Sequence, residues 1–232
     1  MSDTPSEPEL ARAHLLGLDD PLVRLVAAQG AIEFYRPTMP VELPDALSGL
    51  TLHIVGQKIS RFAALAVFAR LQDLLGGQID AARLAASSED ALRAVGLSRA
   101  KAQALRELGE HVSSGALDFA ALHELSDEDV LLRLVELRGV GPWSAQVFML
   151  REMHRPDVFP AGDIGLRTAI ASLDQLPATP STRDAAQRAL AWRPFRSYAA
   201  AYLWRSYAEQ QARGAASSEQ RASCGELPAA AR

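Results

Sequence analysis

Cysteine is almost missing from this chain: Cys224 stands alone. With no second thiol there is no intramolecular disulfide, and the four sulfur ligands of an iron-sulfur cluster cannot be assembled. The five histidines, His14, His53, His111, His123 and His154, are scattered without ligand spacing, so no metal site is expected. Long apolar runs are lacking as well. No stretch of eighteen apolar residues offers a membrane span, and the acidic first residues do not follow the basic-then-apolar order of a secretion signal. The expectation is a cytoplasmic protein without membrane association. An excess of positive charge is also absent. The net charge is -4 and the pI near 5.8, which speaks against binding driven by nonspecific attraction to phosphate. Lysine is the scarcest basic residue, with only Lys58 and Lys101 against twenty-two arginines. The charge is nevertheless polarised. Residues 1–50 carry three Arg against eight acids, and residues 151–232 carry eleven Arg against eight acids.

What is present is helical. Alternating strand patterns are absent, and apolar residues recur at helical spacing over 22–32, 51–75, 81–86, 88–95, 99–112, 127–137, 142–153, 165–173, 182–191 and 197–211. At 232 residues with 48% hydrophobic side chains, the chain can bury one or two ordinary cores. Residues 1–9 and 214–232 lack a hydrophobic stripe and are expected to be flexible tails.

The stretch Leu137-Arg-Gly-Val-Gly-Pro-Trp143 carries the strongest local signal. Ser126 followed by Asp127, Glu128 and Asp129 reads as an N-cap with acids at the positive end of a helix. Gly139 stops that helix, and Pro142 suits the first position of the next. Bare backbone at Gly139 and Gly141 admits a phosphate, and the amides opening the second helix point at it. The same Gly-x-Gly is also an ordinary turn between helices. Asp163, ahead of the apolar run 164–173, reads either as a catalytic carboxylate or as a helix cap.

Taken together, Leu137 to Ala145, Asp157 to Arg167 and Trp192 to Trp204 resemble three successive motifs of the helix-hairpin-helix DNA glycosylases, in the 3-methyladenine DNA glycosylase II branch. Ile54-Val-Gly-Gln-Lys-Ile-Ser60 resembles that family's Gly-Gln-x-Ile-Ser helix. The resemblance implies an all-α fold of two helical lobes flanking a cleft. The expected division is 10–45 plus 156–213 for one lobe and 46–155 for the other, with the hairpin at 137–142. Larger members carry an additional N-terminal α/β domain, for which there is too little chain ahead of Ile54.

The resemblance also implies roles. Asp163 is the expected catalytic group, and Trp143 and Trp204 are expected to line the pocket for an everted base. Gly139, Gly141 and Ser144 are expected to hold phosphate. Gln57 and Lys58 fall where side chains enter the gap left in the duplex, although Lys58 departs from the apolar or amide wedge of relatives. Relatives that cut the strand use a lysine at the place of Trp143, so a Schiff-base lyase is disfavoured and a monofunctional enzyme expected. The expected partner is double-stranded DNA with alkylated bases of the 3-methyladenine and 7-methylguanine type. No cofactor is expected beyond a structural monovalent cation held by hairpin carbonyls, and the default assembly is a monomer. The alternatives are a noncatalytic helix-hairpin-helix DNA-binding module and a glycosylase for another damaged or mismatched base.

Overall fold

The computed structural model describes residues 5–32 and 43–224, with side chains as far as 214. Among the described residues there are thirteen α-helices, one 3-10 turn and no strand, as the periodicity predicts. The chain divides into two compact units, residues 1–34 with 161–232, and residues 35–160.

The first unit opens with α1 (Glu7–Leu16) and α2 (Leu22–Gln29). Helix α1 overlaps the tail expected over 1–9. The Ser6 amide donates to the Glu9 carboxylate at 2.8 Å, a capping box that fixes the first turn in spite of the polar composition. The second unit then runs through α3 (Ala46–Gly56), α4 (Arg61–Leu74), α5 (Ala81–Ala86), α6 (Glu89–Ala94), α7 (Arg99–Ser113), α8 (Phe119–His123), α9 (Asp127–Val135) and α10 (Pro142–Arg151). The chain returns to the first unit with α11 (Ile164–Leu173), α12 (Thr182–Ala189), a 3-10 turn (Leu190–Trp192) and α13 (Arg196–Cys224).

Short polar side chains start most of these helices. Asp45, Ser60, Asp80, Ser88, Ser98, Asp118, Ser126, Asp163 and Ser181 each accept a hydrogen bond from a first-turn amide. Each such cap stabilises its helix by ~1 kcal/mol, and together they fix where the chain changes direction. The expected single helix over 51–75 is in fact two, because Ser60 caps a new helix and Lys58 takes a left-handed φ of 57°. Helix α13 continues past Gly214 into the expected C-terminal tail. The residues there are mostly Ala, Ser, Glu and Gln without proline, a composition that sustains a helix without an apolar face.

In the second unit α5 lies backbone to backbone on α7. A Cβ at Gly109 would come within 2.6 Å of the Ala81 carbonyl oxygen, so only glycine permits that contact. In the first unit Tyr198, Tyr202 and Leu203 of α13 are buried with Leu15, Leu22 and Val26. Arg188 ties three segments together there. It meets both carboxylate oxygens of Asp174 at 2.7 and 3.0 Å, and those of Asp20 at 2.8 and 3.0 Å, with its guanidinium 4.7 Å from the Trp192 ring centroid. Burial works against the Arg188 charge, but the hydrogen bonds to Asp174 and Asp20 outweigh it and raise its pKa further.

Candidate active site and nucleic-acid interface

In the second unit, α9 and α10 flank a tight hairpin. The Val140 amide bonds the Leu137 carbonyl at 3.1 Å, and Gly139 turns the chain at φ 79°. Glycine is needed there by conformation, since other residues in this region cost roughly 1 kcal/mol or more. Gly141 is different. Its φ is -87°, ordinary for any residue, and a Cβ there would meet nothing within 4 Å. Nothing inside the protein demands a glycine at 141, so its bare backbone is an open surface. Gly141 is also the N-cap of α10 and offers the first amides no side-chain acceptor. A helix start whose N-cap residue supplies no side-chain acceptor, at the positive end of the dipole, suits a phosphate oxygen.

Ser144 sits in the first turn of α10 but is only 6% exposed. Its hydroxyl faces the Gln57 amide at 3.4 Å, turned into the protein. Gln57 also donates to the Gly139 carbonyl at 2.8 Å. Gln57, expected at the gap in the duplex, here braces the hairpin through these two hydrogen bonds. Lys58 is exposed in the turn between α3 and α4, followed by exposed Ile59 and by Phe62, a residue 76% exposed with the Arg61 guanidinium 5.3 Å from its ring centroid. Trp143 is 41% exposed and so is no core anchor.

In the first unit, Asp163 caps α11. Its Oδ1 accepts from the Leu166 amide at 2.9 Å and from the Trp204 indole N–H at 3.1 Å. The side chain stays half-buried, as does Trp204 on α13. The two readings of Asp163 are not exclusive, since the cap bond falls on Oδ1 alone and the residue is not sealed in the core. Gly165 completes the arrangement. A Cβ there would lie 3.1 Å from Asp163 Oδ1 and 3.1 Å from Tyr207 Cδ1, so the Tyr207 ring and the carboxylate close on that position from two sides. Tyr207 is absent from the sequence-derived set. The glycine two residues beyond the aspartate was the available signal, since a close approach is one reason for glycine in a helix. The other tryptophan of the C-terminal motif, Trp192, is wholly buried and belongs to the core.

Comparison with known proteins bears on these features together. Residues 52–194 match the family described as HhH-GPD superfamily base excision DNA repair protein. The chain is 30% identical over 199 residues to DNA-3-methyladenine glycosylase 1 of Schizosaccharomyces pombe, covering 84% of this chain and 86% of the relative. The solved structure of a 3-methyladenine DNA glycosylase from that yeast, in complex with abasic DNA, superposes with a TM-score of 0.73 and 30% identity over 84% of this chain and 95% of that one. A DNA-3-methyladenine glycosidase from Bacillus halodurans gives a TM-score of 0.75 at 29% identity, covering 89% of this chain and 90% of that one.

Proposed function

The chain belongs to the HhH-GPD superfamily of base excision DNA repair proteins, and we propose that within it the protein is a monofunctional glycosylase for alkylated purines of the 3-methyladenine and 7-methylguanine type. The observation that carries the reading is the Asp163 carboxylate, half-buried at the start of α11 and held through Oδ1 by the indole N–H of Trp204. A fixed anion beside an indole suits a reaction in which positive charge moves from base to sugar.

An N-alkylated purine nucleotide carries its positive charge on the base. The C1′–N bond breaks heterolytically, its electron pair leaves with the base as a neutral molecule, and the deoxyribose becomes an oxocarbenium ion. Asp163 stabilises that cation and takes the proton of the water that adds to C1′, which yields an abasic site. Trp143 and Trp204 are the base-binding residues. An indole face favours a cationic over a neutral base by roughly 0.5 to 2 kcal/mol, so weakening of the glycosidic bond by alkylation supplies the remaining selectivity. The base reaches this site by eversion from the duplex, at a cost that is smallest for damaged pairs.

Phosphate binding falls to the hairpin, through the backbone of Gly139 and Gly141 and the amide of Ser144, whose hydroxyl is occupied inside. Lys58 and its exposed apolar neighbours enter the space left by the everted nucleotide. The hairpin also fits a structural monovalent cation. Its acceptors are neutral carbonyl oxygens, and those of Leu137 and Gly139, each engaged by one donor, retain a second lone pair. That ion would hold the turn and take no part in bond cleavage. A Schiff base is disfavoured on chemical grounds as well. Lys101 donates to two carbonyls at 2.7 and 2.8 Å, and Trp143 occupies the place of the amine nucleophile.

The test is incubation with methylated duplex DNA and identification of what is released. Free 3-methyladenine and 7-methylguanine with an intact abasic strand are expected. Release of no base rejects the enzyme in favour of a binding module, and release of only another damaged base redirects the specificity.

A further inference from the structure

One of the two lysines in the chain stands where helix electrostatics disfavour it. Lys101 is the third residue of α7, beside the Ser98 cap, at the positive end of that helix. Its ammonium reaches away to the end of another helix and donates to the Val55 carbonyl at 2.8 Å and the Gln57 carbonyl at 2.7 Å. Val55 lies in the last turn of α3 and Gln57 is its C-cap, so the cation answers the negative end of α3. The next residue, Lys58, holds the left-handed φ of 57°, a conformation that persists in a non-glycine residue only where its surroundings fix the chain. The other backbone hydrogen bonds of this turn, Gln57 amide to Ile54 carbonyl and Ile59 amide to Gly56 carbonyl, are both long at 3.4 Å. Partial burial lowers the Lys101 pKa, so the ammonium sits there at some cost in desolvation.

Gln57 faces two ways. Its backbone carbonyl is held by Lys101, while its side-chain amide reaches the Gly139 carbonyl at 2.8 Å and the Ser144 hydroxyl at 3.4 Å. We propose that Lys101 is a positioning residue for the DNA grip: by fixing the turn after α3 it aims Gln57 at the hairpin and holds Gly139 to Ser144 ready for phosphate. A compact point donor suits the gap between two carbonyls better than the planar fork of arginine, which fits the presence of lysine here in a chain with twenty-two arginines and two lysines.

The proposal rests on the DNA-binding reading given above, and its test is arranged so that the two fail separately. Hydrogen exchange of the hairpin amides is first measured on the free full-length protein, wild type against Lys101→Met, which removes the donors and keeps the stem. Faster exchange at 139–144, without a matching increase at the buried middle of α7, is expected; unchanged hairpin exchange overturns the proposal whether or not DNA binds. Affinity for duplex DNA holding an abasic site is then measured over a range of salt. Lys101→Met is expected to weaken binding about tenfold with the slope of log K against log salt unchanged. A slope reduced by about one, the signature of a lost phosphate contact, overturns a positioning role. Gln57→Ala in the Lys101→Met background is expected to add less than twofold, and independent, multiplying losses also overturn it. Lys101→Gln, which keeps one donor, takes the same measurements if the methionine variant does not fold. Failure of the wild type to bind DNA rejects the function, leaving the exchange result to decide the role of Lys101.

Discussion

Replacement of Asp163 by asparagine separates its role as a helix cap from its proposed role in catalysis. The hydrogen bonds from the Leu166 amide and the Trp204 indole both fall on Oδ1 of that side chain. An asparagine therefore keeps its own Oδ1 against the two donors and puts its NH2 where Oδ2 stood. Asn and Asp cap helices almost equally well, and the lost charge at the helix start removes only about 0.3 to 1 kcal/mol. For a protein of this size that lowers Tm by roughly 1–4 °C. Catalysis loses much more. A carboxylate about 4 Å from a unit positive charge contributes about 4 kcal/mol at the effective dielectric of a partly exposed site. Converted to rate this is about 10³-fold. The assay is single-turnover release of 7-methylguanine from a defined duplex, run beside thermal unfolding of the same preparation. A variant that unfolds within a few degrees of wild type and retains its rate within threefold would refute the catalytic assignment and leave Asp163 as a cap alone. A variant that loses its rate through a fall of 10 °C or more in Tm would refute the claim that Asn preserves the hydrogen bonds.

The two hairpin glycines should respond oppositely to alanine. At Gly139, with φ 79° and the Ala104 Cβ 3.1 Å from where a Cβ would stand, the change should destabilise by roughly 1–2 kcal/mol, read as a lower midpoint in urea. At Gly141 the same change should leave the midpoint unaltered or raised, and weaken binding to duplex DNA by tenfold or more; undiminished affinity would show that phosphate does not approach that backbone. Away from the site, Arg188→Met leaves Asp20 and Asp174 without their shared partner. It should cost about 3 kcal/mol, visible as a Tm lower by roughly 6–12 °C, and a smaller fall would mean that water compensates the two carboxylates.

Backbone-encoded features were the most legible in the sequence. Gly139, Pro142 and the Ser126 cap announce a helix, a turn and a helix because each acts on its own residue or the next few. Asp163 was readable as a cap for the same reason. Its bond to Trp204 was not, because it joins residues 41 apart through the packing of α13 on α11. The break between α3 and α4 was hidden by apolar periodicity that continues across it, and nothing in a lysine announces a left-handed φ. Helix α8, at five residues, is too short to display a period, although Asp118 caps it. The brace through Lys101 and Gln57 depends on three segments meeting. The one sequence trace it leaves is a rare lysine in a first helical turn.

The crowding at Gly165 carries a practical lesson for anyone wishing to retune this protein. Any added methyl there would have to displace either an aromatic ring or the anion itself, so the immediate vicinity of the carboxylate admits little variation along the chain. The tryptophan at 143, 41% exposed, is the more permissive place for substitution, since exposed side chains carry less of the packing.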